Sequence, residues 1–225
     1  MAQLADAEGL NPSGAPAPCG FDPRPGHQFE RGRCAGQTLT VEIAFRPLRR
    51  EDLGLLSRWL ALPHVHEWWL EEADLAAVEA RYGPGIDGDD PTEYFVVEVD
   101  GEDVAFVQHY LVRENPEWEV TLAPTGAPLD AAGMDYFVAD PDRLGQGLGT
   151  AILTAFVAEV WARYPEVDYL VVDVDPANTR SWRLLERLRF SLVWEGELVT
   201  DDPVDAGPAY VYVLVRPTDP SIHAR

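Results

Sequence analysis

The stretch Asp140-Pro-Asp-Arg-Leu-Gly-Gln-Gly-Leu-Gly-Thr150, DPDRLGQGLGT, sets glycines at 145, 147 and 149 directly before the apolar run Ala151-Ile-Leu-Thr-Ala-Phe-Val157. Without a Cβ, consecutive amide N–H groups can converge on one point, and a helix starting there adds unpaired N–H groups and partial positive charge. The guest suited to such a loop is an anion, above all a phosphate or pyrophosphate. A nucleoside-triphosphate loop needs Lys-Ser/Thr after its last glycine, but Gly149 precedes Thr150 and the chain contains no lysine. A dinucleotide fingerprint needs a glycine where Thr150 stands, although Asp173 and Asp175 do end a later strand-like run. A pyrophosphate loop with Gly-x-Gly spacing at a strand-to-helix junction fits without exception, and a ligand-free glycine turn remains open.

The elements on either side discriminate among these. Leu39–Phe45 alternates as a strand, Pro47 ends it, and Leu53, Leu56 and Leu60 recur at helical spacing up to Pro63. His64-Val-His-Glu-Trp-Trp69 follows, then a helix expected from about Glu72 to Tyr82. Tyr94–Val99 and Val104–Tyr110 flank Asp100-Gly101, a hairpin signal. The acidic, proline-containing segment from about Arg113 to Ala131 reads as a loop, and Gly133–Val138 as the next strand. After the glycine loop, Ile152, Leu153, Phe156, Val157 and Val160 share one helical face. Strand Tyr169–Asp173, a helix to about Arg189 and strands near Leu192–Glu197 and Tyr210–Val215 complete the chain. A dinucleotide fold would alternate strands and helices from its start, whereas here the loop follows a hairpin-rich half.

Residues 1–38, rich in Pro, Gly and Ala without period, are expected to be a disordered leader, 39–218 the folded domain and 219–225 a tail. The balance of 17 arginines against 39 Asp plus Glu gives −22, a field that repels nucleic acid and anionic lipid and attracts small cations. No secretory signal and no span of roughly 20 apolar residues is evident, so a cytoplasmic location is the default. Cys19 and Cys34 match no zinc motif, and His64, His66 and Glu67 are poor evidence for a metal site, so no metal is expected. Coiled-coil heptads are missing, which leaves the oligomeric state open.

From Phe45 to Arg216 the chain resembles the GNAT superfamily of N-acetyltransferases, and more narrowly the aminoglycoside 6′-N-acetyltransferases. The resemblance rests on RPLRREDLGLLSRWLALPHVHEWW, VAFVQHY, GMDYFVADPDRLGQGLGTAIL, VVDVDPANTRSWRLLERLRF and GPAYVYV, in that order. It implies an α/β fold whose mixed central sheet, flanked by helices, splays between two parallel strands, with acetyl-coenzyme A as co-substrate and its pantetheine arm between those strands. Backbone groups of Tyr136, Phe137 and Val138 would meet the arm, and the amides of Gly145, Gln146, Gly147, Leu148, Gly149 and Thr150 would hold the pyrophosphate. Asn178 matches a cofactor-cleft asparagine and could equally cap the helix that starts there.

The resemblance implies direct acetyl transfer, in a ternary complex, to a primary amine, the 6′-amine of an aminoglycoside. Asp135 matches the aspartate placed beside the acetyl group and is the candidate for assisting amine deprotonation. Asp173 and Asp205 match acidic positions suited to a polycationic sugar, with Glu114–Glu119 adding charge, Gln108 as a hydroxyl partner and Trp69 and Tyr82 as walls. One position departs from the pattern: Leu185 stands where many relatives carry a tyrosine thought to return a proton to the coenzyme A thiolate, leaving water to do so. Arg189 replaces the glycine that usually ends this helix. These departures keep open a non-catalytic module binding acyl-coenzyme A or aminoglycosides, beside a siderophore-assembly N-acyltransferase.

Overall fold

A computed structural model describes residues 27–30 (backbone only), 40–200 and 204–217. Its eight-stranded sheet runs β1-β2-β3-β4-β5-β6-β8-β7. The strands are β1 (His27–Glu30), β2 (Thr40–Pro47), β3 (Glu93–Val99), β4 (Glu102–Leu111), β5 (Ala132–Val138), β6 (Tyr169–Val174), β7 (Ser191–Leu198) and β8 (Gly207–Val215). Helices α1 (Leu53–Leu60), α2 (Pro63–Trp69) and α3 (Leu75–Asp87) fill the β2–β3 connection. Between β4 and β5 lies α4 (Pro116–Leu122), and α5 (Leu148–Arg163) and α6 (Thr179–Arg187) flank β6. Strand β1 falls inside the stretch expected to be a leader and pairs antiparallel with β2, His27 opposite Ile43. The rest of that stretch and the tail from 219 lie outside the described residues.

Local chemistry explains most boundaries. Asp100 and Gly101 both take positive φ, 54° and 81°, as a tight hairpin turn requires, so Tyr94 meets Gln108 across β3–β4. Asp74 caps α3 by accepting from the amides of Ala76 and Ala77, which moves the helix start past Glu72. That helix continues through Pro84 to Asp87 rather than stopping at Tyr82. The segment expected to be a loop contains α4. Pro116 opens it at the first helical position, where a missing N–H costs nothing, and Thr121 and Leu122 are buried beneath it.

One face of the sheet packs on α5 and α6 through Leu153, Phe156, Leu170 and Leu185, and the other on α1–α3 through Leu56, Leu60, Tyr82 and Phe106. A third cluster ties α4 to β6 and β8 through Leu122, Val171 and Val211. The sheet is antiparallel except between β5 and β6. Those two pair in parallel only at Ala132 with Leu170 and Gly133 with Val171, and then diverge. Extending their register sets Asp135 opposite Asp173, so two like charges face each other where the strands part. Gly133 sits at the fork because the Tyr110 ring covers it, and a Cβ there would overlap that ring.

Candidate active site

The fork leaves one edge of β5 unpaired, and alternation decides which residues offer it. Ala139 N–H donates to the Val104 carbonyl and Val112 N–H to that of Ala131, so odd-numbered residues of β5 direct their backbone groups to β4. Met134, Tyr136 and Val138 therefore turn theirs toward the gap. Phe137 does not. Its backbone faces β4, and its ring, 8% exposed, packs edge-on against Trp59 and Trp69 and stacks on Phe106. The expectation that it serves the gap is corrected by strand alternation, which brings in Met134 instead. The Val138 carbonyl already has a partner, His64 Nε2 at 3.1 Å, so this histidine joins α2 to the end of the strand.

At the mouth of the gap, Gly145 and Gly147 take φ of 74° and 84°, and Gly147 is the N-cap of α5 with no side-chain cap among the described residues. Ala151 N–H is bonded to the Gly147 carbonyl at 3.1 Å, whereas the amides of Leu148, Gly149 and Thr150 lie in the first turn, where no intrahelical acceptor exists. Gln146 folds back to the Asp142 carbonyl, and a Cβ at 145 or 147 would meet nothing within 4 Å. An uncapped helix start, open space above its glycines and a free strand edge together fit a pyrophosphate with an extended amide-bearing arm. Asn178 Oδ1 accepts from Ser181 N–H at 3.2 Å, so it caps α6, and it lines the carboxylate cleft rather than the glycine loop.

The gap opens into a cleft of about 850 Å³ on the other face. Among the described residues its lining carries eight carboxylates, including Asp135, Asp173, Asp205, Glu71, Glu114 and Glu117, against the single arginine Arg81. Gln108 Nε2 donates to Asp135 Oδ2 at 2.9 Å, across the β4–β5 ladder. Burial raises the Asp135 pKa, opposed by the Gln108 hydrogen bond and reinforced by Asp205 and Glu71. Asp173 is raised further, first by burial and then by Asp135 and Asp205. Two half-buried carboxylates facing one another thus hold protons more tightly than exposed ones, and each favours an arriving cation.

Trp69 lines the cleft, but Tyr82 does not. At 1% exposure it lies behind the wall, its hydroxyl accepting from Trp69 Nε1 at 3.0 Å and donating to Glu71 Oε2 at 2.6 Å. The reading of Tyr82 as a sugar wall is therefore corrected: it holds Glu71 in place. Glu71 in turn meets Arg81 at 3.4 Å, and burial raises its pKa. Sequence reasoning missed Glu71 because its partners lie 10 and 11 residues on, along α3. It also missed Tyr110 and Trp118, whose signal was available in the i, i+4 spacing of Trp118 and Leu122 after Asn115-Pro116.

Comparison with known proteins bears on the same elements. Residues 49–198 match the model of the acetyltransferase (GNAT) domain family. The chain is 31% identical over 179 residues to an aminoglycoside N(6')-acetyltransferase type 1 of Klebsiella pneumoniae, covering 77% of this chain and 83% of that protein. Among solved structures, the aminoglycoside acetyltransferase AAC(6')-Ib in complex with coenzyme A superposes with a TM-score of 0.65 at 28% identity, over 77% of this chain and 95% of that one. Its complex with coenzyme A and kanamycin gives 0.64 at 29% identity over the same shares. The forked parallel strands, the glycine loop and the matched sequence agree: this chain belongs to the GNAT acetyltransferase family.

Proposed function

We propose that the protein transfers acetyl from acetyl-coenzyme A to the 6′-amine of an aminoglycoside, directly within a ternary complex. The observation that carries this reading is the carboxylate-lined cleft opening onto the free edge of β5. Met134, Tyr136 and Val138 offer backbone groups to the pantetheine arm, and the amides of Gly145 through Thr150 receive the pyrophosphate. Asp173, Asp205, Glu71 and the α4 carboxylates hold the ammonium groups of the sugar rings, and Trp69 gives one ring an apolar face.

Asp135 takes a proton from the reacting ammonium. Its raised pKa makes it a better base than an exposed aspartate while leaving it ionised at mildly alkaline pH. Gln108 holds the carboxylate in one orientation. The kanamycin- and coenzyme-bound relative at 29% identity and the N(6')-acetyltransferase at 31% support both the co-substrate and the acceptor class. By the same reading, the protein protects a susceptible cell from the drugs it modifies.

The test is thiol release from acetyl-coenzyme A with kanamycin-type aminoglycosides, spermidine and lysine as acceptors, for wild type and Asp135→Asn. Aminoglycoside-dependent release falling about 10²-fold or more in the variant is expected. An unchanged rate removes Asp135 from the chemistry, and turnover of lysine or spermidine alone replaces the acceptor.

A further inference from the structure

Breaking a thioester leaves negative charge on sulfur, and a site that excludes water must stabilise it with a donor. Leu185 cannot donate and is fully buried, at 0% exposure, in the core beneath α6. One turn earlier on the same helix, Ser181 Oγ lies 2.7 Å from the Tyr136 hydroxyl. Positions 181 and 185 are four apart and share one helical face. The phenol of Tyr136 therefore reaches across from β5 to the first turn of α6.

Two observations set this pair on the coenzyme side. Tyr136 belongs to the unpaired length of β5 beyond Gly133, and its backbone turns toward the gap. Its ring packs against the core beneath α5 and α6, the face on which the glycine loop lies, whereas Asp135, the next residue along, points to the acidic cleft. Both Tyr136 and Ser181 also line the cleft that holds Asp135 and Asp173, so the pair sits where the two sides meet. The other tyrosine near the reacting carboxylates, Tyr110, pairs with Gly133 on β5 and carries electrostatic coupling to Asp135 and Asp173, which assigns it to the acceptor side.

We propose that Tyr136, held by Ser181, is the catalytic hydrogen-bond donor to the departing sulfur, supplied from strand β5 where Leu185 on α6 can supply none. The inference rests on acetyl-coenzyme A occupying the gap and holds for any amine acceptor. As the amine nitrogen bonds to the acetyl carbon, the carbon–sulfur bond breaks and its electron pair stays on sulfur. Tyr136 donates a hydrogen bond to that sulfur, which leaves as the thiolate and takes its proton from water. Ser181 donates to the phenolic oxygen and so leaves the phenolic hydrogen directed at the sulfur. The proton released by the amine leaves separately through Asp135.

Burial pushes the Tyr136 pKa up to about 12, opposed by the Ser181 hydrogen bond, so the phenol is protonated throughout the neutral range. A free thiol titrates at about 8.5. The phenol therefore keeps its proton beside a thiolate, and its part is to stabilise the charge on sulfur through a hydrogen bond that Ser181 orients.

The experiment compares binding of coenzyme A and desulfo-coenzyme A by calorimetry across pH, with wild type, Tyr136→Phe and Ser181→Ala, beside steady-state kinetics. Above the thiol pKa the wild type should favour coenzyme A about tenfold, as a charge-assisted hydrogen bond to the thiolate warrants. Tyr136→Phe should lose that preference while retaining its affinity for the desulfo compound, and should lower kcat about 10²-fold with KM for acetyl-coenzyme A little changed. Ser181→Ala should fall between the two. Equal weakening for both compounds in Tyr136→Phe would reduce the residue to cleft packing and overturn the proposal, as would an unchanged kcat or a wild type indifferent to the sulfur. A wild type that binds neither compound would overturn the acetyl-coenzyme A reading itself, an outcome distinct from the others.

Discussion

Replacing Gln108 with methionine removes one hydrogen bond and nearly nothing else, because the side chain keeps its length and bulk. The bond lost is Nε2 to Asp135 Oδ2 at 2.9 Å. It stabilises the ionised carboxylate, so it lowers the Asp135 pKa against the burial that raises it. A hydrogen bond to a charged group contributes about 1.5–3 kcal/mol, and both side chains are half-exposed, so the lower end applies. With about 1.4 kcal/mol per tenfold change in proton affinity, the carboxylate of Gln108→Met should bind its proton about tenfold more tightly. The sign follows: the Asp135 pKa rises, its basic form is lost at a higher pH, and the acid limb of kcat/KM moves up by about one pH unit. The acceptor's own ammonium titrates identically with both proteins, so the displacement belongs to the enzyme. Profiles measured with a single aminoglycoside should therefore diverge about tenfold below the limb and converge above it. A uniform loss at every pH would mean that Gln108 acts only by holding substrate. A limb that stays in place would refute Asp135 as the base, and in an Asp135→Asn background the Gln108 change should move nothing.

Two further predictions concern the backbone. Gly147→Ala places a Cβ at φ 84°, where it meets nothing within 4 Å, so folding should lose only about 1 kcal/mol of left-handed strain. Affinity for coenzyme A should fall at least tenfold by calorimetry, and an affinity unchanged beside that small stability loss would remove the pyrophosphate from this loop. Arg189 holds φ 72° at the end of α6, where Phe190 N–H returns to the Leu185 carbonyl at 3.1 Å. Arg189→Gly should relieve the same strain and raise the denaturation midpoint by the equivalent of about 0.5–1 kcal/mol. A lower midpoint would show that the arginine side chain contributes more than its backbone costs.

Legibility in the sequence follows the range of the interaction that decides each feature. The Asp100-Gly101 turn and the left-handed start of α5 are fixed by one or two residues, and each is readable before any tertiary contact exists. The fork between β5 and β6 is different, because Gly133 is permitted there by the Tyr110 ring, a neighbour across the β4–β5 ladder rather than along the chain. Phe137 was misread because a motif names a stretch, whereas a strand sends alternate residues' backbone groups to opposite neighbours. Only the pairing of Ala139 with Val104 tells which half faces the gap. Tyr82 illustrates the stronger limit. An aromatic residue beside an acidic cleft is equally compatible with a wall and with a post behind the wall, and the difference lies in its burial and its hydrogen bonds with Trp69 and Glu71. The same reasoning applies to Leu185 and Tyr136. Read one position at a time, leucine at 185 looks like the loss of a proton donor. Read in three dimensions, the space before α6 receives a phenol from the opposite strand, and the function to be tested resides in that space rather than in either position.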